Sequence, residues 1–183
     1  IRIIPGCRLD LLDGPSLLAY PVNREAYGRL SALLTKGNLR AEKGECHLYK
    51  ADVFQHAEGM KFIAIPPAAL NSYFELDPAF GIALREYRAA LGGELYLGAI
   101  RSYQGDDLKK LYRLSELAAQ LKVPLIAMND VHAQHSQRRE PTDVPTSIRE
   151  KAAIRRAALR PRADSAVCLS GDGDPLRAHA SDA

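Results

Sequence analysis

A chain of 183 residues, 46% hydrophobic and 26% charged, has enough apolar material for one ordinary domain with a core, which excludes disorder throughout. Its net charge of +3 is too small to force binding to nucleic acid by charge alone, and no apolar run approaches the about 20 residues that span a bilayer. The start, Ile1-Arg-Ile-Ile-Pro-Gly6, lacks the anatomy of a signal peptide, and Cys7, Cys46 and Cys168 are widely spaced and odd in number, so reduced thiols, a cytoplasmic location and no membrane contact are expected.

In chain order, Ile1–Ile4 before Pro5-Gly6 reads as a strand, and Ser16–Tyr20 after Asp13-Gly14-Pro15 as a second. Because the chain opens directly on strand-like sequence, a piece of the domain is expected upstream. From Asn23, a good N-cap, Tyr27, Leu30, Leu33 and Leu34 recur at helical spacing, with Gly37-Asn38 as the expected stop. A short helix is predicted over Ala51–Ala57 and a strand over Met60–Ile65, stopped by Pro66-Pro67. Asp77-Pro78 starts a helix with the stripe Phe80, Leu84, Tyr87 and Leu91, and Glu94–Ile100 is the next strand. After Asp106-Asp107, where negative charge suits a helix N-terminus, Leu108, Leu111, Leu114, Leu117, Ala118 and Leu121 form the clearest amphipathic stripe.

That helix leads into Val123–Met128, an apolar run too short for a helix and read as a buried strand. Alternation of strand and helix from residue 60 to 128 calls for βαβ crossovers and a parallel sheet, open or closed into a barrel. Asp130 and His132 follow the last strand. Side chains two apart share a face of extended backbone, so this carboxylate and imidazole would meet where parallel α/β folds gather their ligands.

Past His132 the texture changes. Pro141 and Pro145 oppose a helix, Ser147–Glu150 has the pattern of a capping box, and a helix is expected from Ile148 to about Leu159. Between Arg138 and Arg162 eight basic residues face three acids, which makes Arg138, Arg139, Arg155 and Arg156 candidate nucleic-acid contacts on an otherwise solvated face. Residues 162–183 show no hydrophobic period and are expected to be disordered.

Several stretches together resemble one family: Ile4-Pro-Gly-Cys-Arg-Leu-Asp10, Ala26-Tyr-Gly-Arg-Leu30 with Leu34-Thr35, Arg40-Ala-Glu-Lys-Gly44, and Pro124 to His132 with Arg138-Arg139 and Ile148-Arg-Glu150. They are similar to the amino-terminal PHP (polymerase and histidinol phosphatase) domain of bacterial C-family DNA polymerases, above all the error-prone polymerases related to the polymerase III alpha subunit. The resemblance covers residues 1–158 and leaves 159–183 as a disordered or aberrant tail. It implies a partial distorted (β/α)7 barrel of parallel strands alternating with helices, lacking its amino-terminal strands. It also implies a parent role in DNA synthesis during damage-induced mutagenesis and repair.

Intact relatives hold divalent metals at the strand ends and hydrolyse phosphoesters. Here the family's opening His-x-His and Asp-His motifs are absent, and the Gly-x-Glu that supplies a carboxylate reads Gly6-Cys7-Arg8. A guanidinium stays charged and repels a divalent cation, so Arg8 opposes the ligand it replaces. Asp130 and His132 alone match ligands and would be vestigial, because a catalytic metal needs about three protein ligands. No cofactor is therefore expected in this fragment, Arg8 is expected to pair with Asp130, and the partners are the remainder of the polymerase and, through it, DNA. The alternative is a metal-dependent phosphoesterase or exonuclease using Asp130 and His132 with His47 or His135. A third reading is a basic nucleic-acid-binding module built on residues 138–162.

Overall fold

Five strands pair side by side in their order along the chain, and the residues that set this order are short apolar runs separated by capped helices. In the computed structural model, residues 3–101 and 105–128 are described in full, and 133–135 and 168–170 by their backbone. The strands are β1 (Cys7–Leu9), β2 (Leu17–Pro21), β3 (Met60–Ala64), β4 (Leu95–Ile100) and β5 (Leu125–Met128). The sheet order is β1-β2-β3-β4-β5. Four helices, α1 (Arg24–Arg40), α2 (Lys50–His56), α3 (Pro78–Leu91) and α4 (Asp107–Leu121), lie between them. None of the described helices is long and apolar enough to cross a membrane.

The fold is mixed α/β, and the expectation of uniformly parallel strands is corrected at its amino-terminal side. β1 pairs antiparallel with β2, and β2 antiparallel with β3, Ala19 standing opposite Phe62, whereas β3 and β4 pair in parallel. The connection between β1 and β2 carries no helix and permits a direct antiparallel return, whereas the β3–β4 crossover carries α3. Among the described residues the sheet is not closed, with β1 and β5 at its two edges.

Sequence signals for helix starts hold. Asn23 Oδ1 accepts the Ala26 N–H at 2.8 Å, and Asp77 Oδ1 accepts the Ala79 N–H at 2.9 Å, each meeting a donor that a helix start leaves unpaired. The α3 stripe Phe80, Leu84, Tyr87 and Leu91 is buried as expected, in one core with Leu17, Phe62, Leu95 and Leu97 of the sheet. Tyr87 also donates its hydroxyl hydrogen to the Pro15 carbonyl at 2.7 Å, tying α3 to the β1–β2 connection. On α4, Leu114 and Ala118 enter the core while Leu108 is 75% exposed, so the stripe buries less than its spacing suggests.

Three further expectations are corrected. Ile3 and Ile4 are exposed and outside any strand; pairing with β2 begins at Cys7, beyond Pro5, which has no N–H to donate. Helix α1 runs through Gly37-Asn38 to Arg40. Gly37 is there for closeness: a Cβ would lie 2.6 Å from Cys46 Sγ and 2.7 Å from Leu48 Cδ2. Third, β5 is an exposed edge strand with Leu125 and Ile126 open to solvent, in contrast to the buried strand that its composition suggests.

Gly37→Ala sets two effects against each other. Helix propensity favours Ala by about 1 kcal/mol, while forcing a methyl into Cys46 and Leu48 costs about 1–3 kcal/mol. Packing should win, and the urea midpoint should fall; a raised midpoint would mean that Leu48 moves aside at little cost.

Helix α4 ends in a left-handed residue other than glycine. Lys122, at φ 51°, donates its N–H to the Ala119 carbonyl, and Val123 donates to Ala118 at 3.0 Å, the paired closure that satisfies late helical carbonyls. Val123 is buried, and the Pro124 carbonyl then accepts the Leu97 N–H at 2.8 Å. This closure aims the chain into β5.

A second unit, residues 100–107 and 128–183, contains β6 (Ala133–His135) and β7 (Cys168–Ser170), which pair in parallel. A strand at 168–170 departs from the expectation of disorder over all of 162–183; the rest of that stretch, like the helix expected over 148–159, lies outside the described residues.

Candidate functional site

Asp130 and His132, the residues expected to carry a metal site, lie outside the described residues, as do Arg138, Arg139, Arg155 and Arg156. What is described is the other partner of that expectation, Arg8. The alternation of β1 buries Leu9 and turns Arg8 outward. Its Nε donates to Asp10 Oδ1 at 2.8 Å, and the Ser16 hydroxyl donates to the same oxygen at 2.5 Å. Ser16, and then Arg8, hold the Asp10 carboxyl below the usual carboxylate range. Arg8 thus has a carboxylate two residues away, and an Arg8–Asp130 pair involves a residue outside the described set.

This arrangement does not fit a divalent cation. Asp10 Oδ1 already accepts two donors, and the guanidinium beside it carries a fixed positive charge that opposes a divalent cation. His47, offered as a further ligand, has its Nε2 3.1 Å from Glu45 Oε2. Among the described residues no group of three or more His, Cys, Asp or Glu side chains could hold a metal ion. Cys7 is no ready nucleophile either: burial, then the neighbouring Cys46 and Asp10, push its thiol up, away from the reactive thiolate.

The strongest electrostatic cluster is one that sequence reading overlooked. Asp52, on α2, is buried and accepts both Arg40 nitrogens, at 2.5 and 3.0 Å, with Lys36 Nζ at 2.7 Å and the Tyr49 N–H at 3.2 Å. Arg40 also lies over the Tyr49 ring at 5.7 Å. Arg40, then Lys36 and the Tyr49 amide, hold the Asp52 carboxyl far below its ordinary value. A signal existed: Lys36 and Arg40 are four apart on one helix face, where like charges repel unless an acid from elsewhere stands between them. Both Asp52 oxygens are engaged by cations of α1, so the cluster clamps α1 to α2. A second clamp joins α2 to α3, Lys50 Nζ meeting Glu86 Oε2 at 2.5 Å while the Lys50 N–H bonds Asp13 at 2.8 Å.

No family model matches the chain. Curated relatives do. An error-prone DNA polymerase of Caulobacter vibrioides is 44% identical over 90% of this chain, and one of Rhodopseudomonas palustris is 38% identical over 96%. A third, from Brucella abortus, is 40% identical over 84%. The chain's relatives are error-prone DNA polymerases. It spans only about 15% of their length, 15% of the Caulobacter protein and 16% of the Rhodopseudomonas one.

Proposed function

We propose that this chain is a PHP-type segment of an error-prone DNA polymerase, without chemistry of its own, acting as a folding and docking unit of that enzyme in the cytoplasm. The observation that carries the reading is identity of 38–44% over nine-tenths or more of this chain, set against a match to only 15–16% of the polymerases concerned. A partial barrel, opening with antiparallel strands, is the fold that goes with it. In this reading Asp130 and His132 are vestigial, Arg8 stands where a ligand carboxylate belongs, and no metal resides. DNA is met through the polymerase, whose role would be synthesis across damage, with Arg138, Arg139, Arg155 and Arg156 as minor contacts.

Metal content and hydrolysis test the absence of chemistry. The full chain, dialysed against manganese and then against zinc, should retain no stoichiometric metal and should not hydrolyse bis-p-nitrophenyl phosphate. One bound ion per chain that disappears in the Asp130→Ala/His132→Ala variant, or metal-dependent hydrolysis, would restore the phosphoesterase reading.

A further inference from the structure

The connection between β3 and α3 is built in a way that its role as a linker does not require. Asn71 Oδ1 accepts the N–H groups of both Tyr73 and Glu75 at 2.9 Å, and the Asn71 N–H bonds the Glu75 carbonyl at 3.0 Å, closing a tight knot. Phe74 within it sits at φ 58°, a left-handed backbone that bulky side chains avoid. Helix α4 clamps the knot from one side: Lys109 Nζ stands 3.5 Å from the Phe74 ring centroid, Arg113 Nε donates to the Phe74 carbonyl at 3.2 Å, and Lys110 Nζ donates to the Ala68 carbonyl at 3.0 Å. The outcome is a fixed backbone carrying two adjacent aromatics at the surface, Tyr73 being 80% and Phe74 44% exposed. On α4, Leu108 (75% exposed) and Tyr112 (60% exposed) lie four apart, flanking the Lys109–Arg113 stripe that holds the knot.

Strained backbone persists where surrounding structure over-determines it, and aromatics held rigid at a surface are the anchors that protein interfaces favour. The surroundings are mixed in charge, with Glu75, Asp77 and Glu116 among the basic residues, which suits the polar rim of a protein interface and not a polyanion. We propose that Tyr73, Phe74, Leu108 and Tyr112 form the face that packs against the remaining part of an error-prone DNA polymerase. The inference rests on the reading above, and the size of the remaining part supports the choice of occupant: the chain matches only 15–16% of its relatives, so a segment of this kind has a much larger body of the same polymerase beside it in the chain.

Tyrosine labelling tests this. The Caulobacter relative is prepared with its matching segment replaced by this chain, and iodination of Tyr73 and Tyr112 is compared between that hybrid and the isolated chain. Both tyrosines should label readily in the isolated chain and lose labelling in the hybrid, and Tyr73→Ser/Tyr112→Ser should lower the melting temperature of the hybrid while leaving that of the isolated chain unchanged. Equal labelling in a hybrid that folds would overturn the inference and leave the polymerase reading standing. Failure of the hybrid to fold where the natural relative does would overturn both. Protection of the isolated chain at rising concentration, or by single-stranded DNA, would assign the face to a second copy or to nucleic acid and remove the polymerase as its occupant.

Discussion

Phe62→Ala should lower stability by about 3–5 kcal/mol, a large share of the about 5–15 kcal/mol that holds a domain of this kind folded. Phe62 lies at the middle of β3, the strand through which the antiparallel and parallel halves of the sheet are joined, opposite Ala19 on one side and Leu95 on the other. It is fully buried and belongs to the same core as Leu17, Leu84, Tyr87 and Leu97, so truncation opens a cavity that elements on several sides must shrink to fill. Urea unfolding followed by circular dichroism reads the effect. Lys61→Ala, next along the strand, removes a surface pair with Glu94 and should leave the midpoint nearly unchanged. Equal midpoints for wild type and Phe62→Ala would mean that β3 is not central to the core.

Asp52→Ala is the second large effect, expected at about 2 kcal/mol because hydrogen bonds to charged groups contribute about 1.5–3 kcal/mol and the cations left behind can reach water. Lys36 and Arg40 are more than a third exposed, which keeps the loss below that of a wholly buried charge pair. The carboxyl also gives the effect a pH signature. Its folded pKa is depressed, so its contribution is complete above the unfolded value of about 4 and drains away as pH falls toward the folded value. Wild-type stability should therefore decline on acidification below about pH 4, and Asp52→Asn should decline less steeply over the same window. Parallel curves for the two proteins would show that Asp52 does not couple α1 to α2.

Where local chemistry decides structure, the sequence was legible. Asn23 and Asp77-Pro78 mark helix starts because a side-chain oxygen or a missing N–H suits those places, and the α3 stripe faces the core because four apolar residues recur at its period. Gly37 misled because a glycine reads alike as a stop and as a place where another segment comes close; Cys46 and Leu48, which decide between them, are nearby in space for tertiary reasons. β5 misled because an apolar run states what a strand would bury, not whether a neighbour is there to cover it. Strand direction was hidden for a similar reason: the run before Pro5-Gly6 looked more strand-like than Cys7–Leu9, whose pairing with β2 sets the antiparallel start. Of the candidate site, Asp130 and His132 were offered by their spacing and by the resemblance and lie outside the described residues, whereas the Asp10 partner of Arg8 required the fold of the β1–β2 connection, because Ser16 reaches back across it.

The order β1-β2-β3-β4-β5 has a consequence for how the chain is made. Within this five-stranded sheet each of β2 to β5 pairs with the strand synthesised before it, so a chain emerging from the ribosome finds its docking edge already present, and none of these strands has to wait for a later one. Ring closure would demand the opposite, the last strand returning to the first across the greatest separation, the costliest contact in loop entropy and the slowest to form. This sheet is suited to vectorial assembly, growing from its amino-terminal hairpin outward as translation proceeds.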